Sequence, residues 1–400
     1  MTITLSTVFT LGALVSLGVV LVFHAATHRF LGQRRRRATG RVPISVLKPL
    51  RGAEPELYDN LVACARQDYP FFELVLGAED PEDPALAVAR KVAADHPAVS
   101  VTIVAGAPTP GLNPKVNMLA ELCRHARFDL VVVSDADVRP APEYLDALMA
   151  ELEDPAVGLV SSVLVGTQER SVGAAWENLH LATLAGASVA AARQLAGHAL
   201  VVGKSMAFRR SDLEALGGWP RVENVLAEDY LLGRAFAEAG WKVALSNLPV
   251  AVVNRRRSLT TFRKRHLRWN QMRCRIHPPA YLGELLLMPA PWVLAALTAA
   301  GFEAAPVTPK AALLVGVLVV KSLADGLLLA RLRDGGFPSA AYWSPVKDLT
   351  AALLWPVGIL RRRLDWRGHP LEIGAGSRLF RPAPGRGRRW SVQKPEEVRP

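Results

Sequence analysis

Residues 5–25, LSTVFTLGALVSLGVVLVFHA, contain no Asp, Glu, Lys or Arg and are long enough to cross a bilayer as a helix. Arg34-Arg35-Arg36-Arg37 follows this run rather than preceding it, and no convincing Ala-x-Ala cleavage site is present, so a secretory leader is disfavoured. The expectation is a retained N-terminal transmembrane anchor over residues 1–30, with the positive-inside rule placing the following domain in the cytoplasm. Whatever folds next must do so against a membrane. Two more apolar runs, 285–303 and 311–330, read as an antiparallel pair around Gly301–Lys310. A third, 349–360, is short and ends in Arg361-Arg362-Arg363, so it is expected to be re-entrant or interfacial rather than crossing.

Half the residues are hydrophobic, yet the formal net charge is +12. Such a charge invites a nucleic-acid reading, but the basic residues gather beside the apolar segments, at 34–41, 255–275, 361–363 and 378–389. Attraction to anionic headgroups accounts for that distribution, and no nucleic-acid-binding signature accompanies it. No nucleic-acid partner is expected. Cys64, Cys123 and Cys274 are isolated, without zinc spacing or C-x-x-C, and read as packed thiols in a reducing cytoplasm.

Residues 44–250 alternate between strand and helix patterns. Ile44–Lys48, Phe72–Gly77, Val99–Val104 and Leu130–Ser134 read as strands; Leu57–Gln67, Pro84–Ala94 and Val116–His125 read as helices. This rhythm predicts an α/β, Rossmann-like domain with a largely parallel sheet, whose ligands sit beyond the carboxyl ends of the strands. The expected organisation is an anchor over 1–30, a cytoplasmic catalytic domain over 41–257, an interfacial Arg/Trp helix region over 258–283, transmembrane and re-entrant helices over 284–360, and a basic cytoplasmic tail over 361–400. The tail after Pro382, rich in Pro, Arg and Gly, reads as disordered.

The strongest chemical signal is Leu130-Val131-Val132-Val133 running into Ser134-Asp135-Ala136-Asp137. Two carboxylates closing a buried strand need solvent or a partner, and Mg²⁺ is commonly held by one or two carboxylates plus substrate phosphates. Two solvated turn aspartates are the plain alternative. Asp80, after the second strand, is placed to accept hydrogen bonds from a base or ribose, or to cap a turn. Lys48 and Lys115, the latter in Asn113-Pro114-Lys115-Val116-Asn117, sit at loop entries near the same edge, where an ammonium suits phosphate. Glu228-Asp229-Tyr230 heads an amphipathic helix; its carboxylates are either dipole-stabilising groups or, facing a cavity, a base for an acceptor hydroxyl.

Ser258–Arg275 reads as an N-capped basic helix. Arg265, Arg268 and Trp269 fall at i, i+3 and i+4, one face that can grip a diphosphate and offer a ring for stacking. An interfacial helix resting on lipid headgroups would show the same composition. Gly203-Lys204-Ser205 lacks the upstream glycine of a phosphate-binding P-loop, since position 198 is His198.

Taken in order, Lys48-Pro49-Leu50-Arg51-Gly52, Asp80, Asn113-Pro114-Lys115-Val116-Asn117, Asp135 with Asp137, Glu228-Asp229-Tyr230 and Arg265-x-x-Arg268-Trp269 resemble the inverting glycosyltransferases with a GT-A fold. Among these the chain is most similar to the ceramide glucosyltransferase-like group, glycosyltransferase family 21, and also looks like bacterial hopanoid glycosyltransferases. The resemblance implies a UDP-sugar donor and a divalent metal, Mg²⁺ or Mn²⁺, held by Asp135 and Asp137. It further implies Asp80 on uridine, Asp229 as general base, Arg265, Arg268 and Trp269 on the diphosphate, and a membrane lipid acceptor, ceramide first, in the bacterial inner membrane. Arg265 departs from the Gln that many relatives of this superfamily carry, and the Ala-rich stretch 171–203, where a lipid-acceptor wall would fall, matches no familiar motif. A hopanoid N-acetylglucosaminyltransferase, a processive polysaccharide synthase (disfavoured by the few C-terminal spans) and a non-enzymatic membrane scaffold are the alternatives.

Overall fold

The computed structural model describes residues 4–303, 307–366 and 369–382. Its centre is one mixed sheet built from β1 (Ile44–Leu50), β2 (Phe72–Ala78), β3 (Ser100–Ala105), β4 (Leu130–Ser134), β5 (Val138–Arg139), β6 (Val157–Thr167), β7 (Ser205–Arg209) and β8 (Lys242–Val253). The strand order is β3-β2-β1-β4-β7-β6-β8-β5. From β3 to β4 all neighbours run parallel, as the strand–helix rhythm predicts, while β7 and β5 pair antiparallel with β4 and β8. The β4 sequence Leu-Val-Val-Val-Ser is buried throughout because both faces are covered. Val132 points into one core with Leu61 and Leu86, and Val131 and Val133 point into the other with Leu119 and Phe208.

The sheet does not stand apart from the apolar helices. The first helix, Leu5–Leu31, is 27 residues long, about 40 Å at 1.5 Å per residue, and its last turn enters a core shared with β6. Phe30 and Leu31 pack there with Val163, Val165 and Leu329. The Ala-rich stretch supplies the joint: helices Val172–His180 and Ala187–Ala196, linked by a π-helical turn Leu181–Gly186, contribute Ala175, Leu179, Ala182 and Ala190 to that core. Arg333, ending the Val307–Arg333 helix, donates to the Gly166 carbonyl at 2.6 and 3.0 Å and to Glu169 at 2.8 and 2.9 Å.

Among the described residues two helices are by length and composition able to cross a membrane, Leu5–Leu31 and Pro309–Arg333. The run 285–303, expected to span, is bent: Pro278–Leu287 and Pro289–Phe302 meet at 67° and together count as one broken span or a re-entrant loop. Pro289 supplies the physical reason, since it begins a new helix without an N–H to continue the preceding one. The short run 349–360 lies within the helix Ser344–Leu360.

Where these helices meet the chain buries charge. Lys321 pairs with Asp325 and, at 3.7 Å, with Asp348; Lys347 lies 2.7 Å from Asp348, and His24 3.5 Å from Asp325. Ser344 donates to Asp325 and accepts from Lys321 at 3.1 Å. None of these six residues is more than 4% exposed.

One boundary needs correction. Residues 361–382 were expected to begin a basic tail, but Arg363–Trp366, His369–Ile373 and Leu379–Phe380 form a three-stranded sheet. Leu364, Trp366, Leu371, Ile373 and Leu379 bury against Leu226, and Leu379 N–H donates to Asn224 at 2.8 Å, so alternating apolar positions outweigh the basic composition. The disordered stretch expected after Pro382 lies outside the described residues.

Candidate active site

The geometry of the site follows from a change of direction in the sheet. β4 ends at Ser134, and antiparallel β7 begins directly opposite, with Ser134 paired to Ser205. Lys204, one residue before β7, is thereby brought against the aspartates one and three residues beyond β4. Its ammonium lies 2.5 and 2.7 Å from the two Asp137 oxygens and 3.4 Å from Asp135 Oδ2. Lys115 approaches from the other side, 3.0 Å from Asp135 Oδ1, 3.0 Å from Glu228 Oε1 and 2.9 Å from the Gly203 carbonyl. It sits at the second position of the helix Pro114–His125, whose Asn113 cap accepts from Val116 N–H at 3.1 Å.

Burial alone would lower Lys115, but Asp135, Glu228 and Asp229 overcome that and raise it above the ordinary lysine value. Burial pushes Asp137 up, whereas Lys204 and Arg265 pull it further down, so it stays ionised. Asp135 and Asp137 thus converge on one positive centre. Among the described residues no group of three or more His, Cys, Asp or Glu side chains could hold a metal. A divalent cation at these two carboxylates would draw its other oxygens from phosphate and water, a donor set that suits Mg²⁺ or Mn²⁺.

Asp229 occupies the first turn of the helix Glu228–Glu238 and is half-buried. Its Oδ2 accepts from Gly203 N–H at 2.6 Å and Oδ1 from Tyr230 N–H at 2.8 Å. Gly203 is required by the close approach: a Cβ there would lie 3.0 Å from Asp229 Oδ2 and 3.1 Å from Lys115 Nζ. Burial first, then the neighbouring Glu228 carboxylate, push Asp229 up to about 6, against the pull of Lys115 and the two backbone donors. A carboxylate with that value suits proton abstraction near neutral pH.

Asp80 is exposed beyond the end of β2 and accepts from Glu82 N–H at 2.9 Å. β1 separates β2 from β4, so Asp80 and Asp135 terminate strands two positions apart, roughly 10 Å at ordinary strand spacing. That distance is on the scale of a nucleoside diphosphate.

Lys48 has a different place from the one expected. It is fully buried, and its ammonium donates to Ser134 Oγ at 3.0 Å and to the Asp135 and Val138 carbonyls at 2.7 and 3.2 Å. Alternation along β1 turns the side chain inward, where it fastens the turn carrying the two aspartates instead of facing a ligand. Lys48→Met is expected to destabilise the chain by about 2–3 kcal/mol and to weaken UDP binding. Thermal melting and nucleotide titration check this; unchanged UDP affinity would show that the turn holds its shape without Lys48.

On the helix Leu259–Ile276, Arg265 extends toward the acidic pair, 4.0 Å from Asp137, with its guanidinium 4.7 Å above the Trp269 ring. Arg268, half-buried, lies one turn further on. Two partners escaped the sequence reading. Glu177 forms an ion pair with Arg265, Nε lying 3.3 Å from Oε1, and a hydrogen bond of 3.0 Å between its Oε2 and His266 Nε2. Burial would raise Glu177, but Arg265 and His266 hold it down at about 2. Its signal was the lone carboxylate of the helix Val172–His180, a residue type rarely buried without a partner. Lys204 was visible only in a rejected phosphate-loop pattern, and its role arises from the antiparallel β4–β7 pairing.

The family model for glycosyl transferase family 21 matches residues 8–379. The chain belongs to glycosyl transferase family 21. Among relatives of this family 21 chain, ceramide glucosyltransferase 3 of Caenorhabditis elegans is 25% identical, over 85% of this chain and 74% of that protein. Ceramide glucosyltransferase 1 of the same organism is 28% identical over 59% of this chain and half of its own length. A mannosyltransferase from Pyrobaculum calidifontis, solved with GDP-mannose and Mn²⁺, matches in fold with a TM-score of 0.55 and 24% identity, over 88% of this chain and 99% of that one. This family 21 protein is therefore a glycosyltransferase with a GT-A fold.

Proposed function

We propose that this family 21 enzyme transfers a hexose, glucose first, from a UDP-sugar to a lipid hydroxyl, ceramide first, by a single displacement that inverts the anomeric carbon. The observation that carries this reading is the bridging position of Lys115. It joins Asp135, of the pair suited to a diphosphate with its cation, to Glu228, whose neighbour Asp229 is the group suited to take a proton. Asp80 would receive the uridine, at the far side of the strand edge. A divalent metal held by Asp135 and Asp137 would supply positive charge to the departing diphosphate. Lys115, Lys204, Arg265 and Arg268 add to that charge from the protein itself, and Glu177 keeps Arg265 aimed at the site. Asp229 would accept the hydroxyl proton as the new C–O bond forms.

The ceramide acceptor is supported by the names of the nematode relatives, and a membrane setting by the two helices long and apolar enough to span. The cytoplasmic side follows from Arg34–Arg37 after the first span, and the bacterial inner membrane is the compartment we assign. Purified enzyme incubated with radiolabelled UDP-glucose, UDP-N-acetylglucosamine and a panel of ceramides and hopanoids is expected to give a labelled glycolipid on thin-layer chromatography. Label accumulating in polymer while every lipid stays unlabelled would overturn the reading.

Nucleotide binding offers a separate check. UDP with Mn²⁺ or Mg²⁺ is expected to raise the melting temperature. EDTA should remove most of that gain, and Asp137→Asn should lose it. A UDP shift indifferent to EDTA would place the diphosphate on lysine and arginine alone.

A further inference from the structure

The small C-terminal sheet reaches back to the stretch of chain immediately ahead of Asp229. Residues 223–227 lie beside it as an extended strap, with Val225 bridged to Arg378 in antiparallel sense. Leu379 N–H donates to the Asn224 carbonyl at 2.8 Å, and Leu226 N–H donates to the Ser377 carbonyl at 2.9 Å. The other edge of the strap meets the start of the Lys115 helix. Asn113 N–H donates to the Glu223 carbonyl and Asn113 Nδ2 to the Val225 carbonyl, both at 2.8 Å. Successive residues thus bond to opposite neighbours, as along a strand. One ribbon of backbone joins the C-terminal sheet, the helix that presents Lys115 and the helix that presents Asp229.

Ser377 closes that ribbon at the helix start. The helix Glu228–Glu238 is entered through Ala227, whose methyl group cannot cap it. In a capping box the N–H of this entry residue is met by Glu or Gln at the third helical position, where this chain has Tyr230. Here Ser377 Oγ, fully buried, accepts from Ala227 N–H at 3.2 Å. Ser377 does so with φ at 59°, beside Gly376 at 60°. A residue with a Cβ is strained there, and such strain persists where the surroundings impose it. Glycine would suit that backbone better but would bring no hydroxyl. The same sheet grips the Arg/Trp helix: Gln271 Nε2 donates to the Arg361 and Arg363 carbonyls at 3.1 and 2.9 Å, and Met272 packs on the apolar face.

We infer that the C-terminal sheet is a clasp on the first turn of the helix Glu228–Glu238, and that Ser377 is a positioning residue for sugar transfer. It holds Glu228 against Lys115, at 3.0 Å, and Asp229 against the Gly203 amide, at 2.6 Å. The inference rests on the proposal that Asp229 takes the acceptor proton. Slack in this turn would shift both carboxylates together while Asp80, Asp135 and Asp137 keep their places on other elements. Its signature is therefore lost turnover with donor binding retained.

The test uses the full-length enzyme in detergent with UDP-glucose and a ceramide. Ser377→Ala removes the hydroxyl and keeps the strained backbone, whereas Ser377→Gly removes the hydroxyl and relieves the strain, so the Gly variant should melt higher. Both should lower kcat about tenfold with the UDP-glucose KM within about twofold of wild type. Native-state hydrogen exchange supplies a readout that needs no acceptor. Amides over 226–232 should exchange about tenfold faster in both variants, with those of β4 unchanged. A kcat loss confined to the less stable Ala variant would mark Ser377 as a folding residue only and overturn the inference. Wild-type kcat in both variants, a UDP-glucose KM rising in step with the kcat loss, or wild-type exchange over 226–232 would overturn it too. Asp229→Asn measured in parallel separates the two readings. If it transfers sugar at the wild-type rate while both Ser377 variants lose kcat, the base assignment fails and the clasp stands, acting through Glu228 and Lys115. If it abolishes transfer while both Ser377 variants keep wild-type kcat, the base stands and the clasp fails.

Discussion

Asp229→Asn is expected to lower sugar transfer by about 10²–10⁴-fold while leaving UDP affinity within a few-fold of wild type. The substitution removes the proton acceptor and keeps one side-chain oxygen for either the Gly203 or the Tyr230 amide, each of which donates to a different Asp229 oxygen. Lys115, Lys204, Asp135 and Asp137 are untouched, so the diphosphate cluster keeps its charges. Loss of UDP binding together with activity would instead assign Asp229 to the donor. The pH profile gives the same residue a second readout. With Asp229 raised to about 6, the wild-type rate should climb as pH rises through that value and flatten above it. Stability moves the other way. The folded chain holds this proton more tightly than an unfolded one, whose aspartate titrates near 3.9, so ionising Asp229 weighs against folding and that weight is fully present only above about pH 6. Asp229→Asn should therefore gain in melting temperature relative to wild type at pH 8 compared with pH 5.

The second large effect lies away from the site. Lys321→Leu is expected to cost about 3–5 kcal/mol, because Asp325 and Asp348 lose a cation that helix packing keeps from solvent. The double substitution Lys321→Leu with Asp325→Leu removes one charge of each sign and leaves Lys347 beside Asp348. It should recover much of the loss. Melting of the four proteins in detergent forms a double-mutant cycle; additive losses would mean that the two side chains act independently.

The parallel half of the sheet was readable because each strand is a short apolar run closed by turn chemistry, and Leu130–Ser134 begins and ends where its pattern does. Asp135, Asp137 and Asp229 were readable for a related reason: polar groups immediately following buried strands, or heading helices, stand where ligands meet an α/β sheet. What local sequence could not show was direction. Lys48 looked like a loop-entry lysine, and only its inward register on β1 reveals the buried ammonium. Lys204 meets Asp137 because β7 runs antiparallel to β4, a pairing between segments about 70 residues apart. Lys321 and Asp325 sit in a run whose mean hydropathy reads as a span, so their charges vanish into the average unless the partner helices are known. The break at Pro289 and the strands within the basic stretch were masked in the same way, by composition read over too wide a window.

Phe30, Leu31 and Leu332 bring the ends of the helices Leu5–Leu31 and Val307–Arg333 into the same packed core as β6 and the Ala-rich turn, and Arg333 fastens the second of them to the Gly166 carbonyl. A globular head on a loose tether can swivel and sample substrate from any quarter. This one has no such swivel: the head is keyed to its stem, so the height and bearing of its cleft are set once, by helix length and rotation. Substrates drifting in the plane of a membrane would meet an entrance that faces a single compass direction.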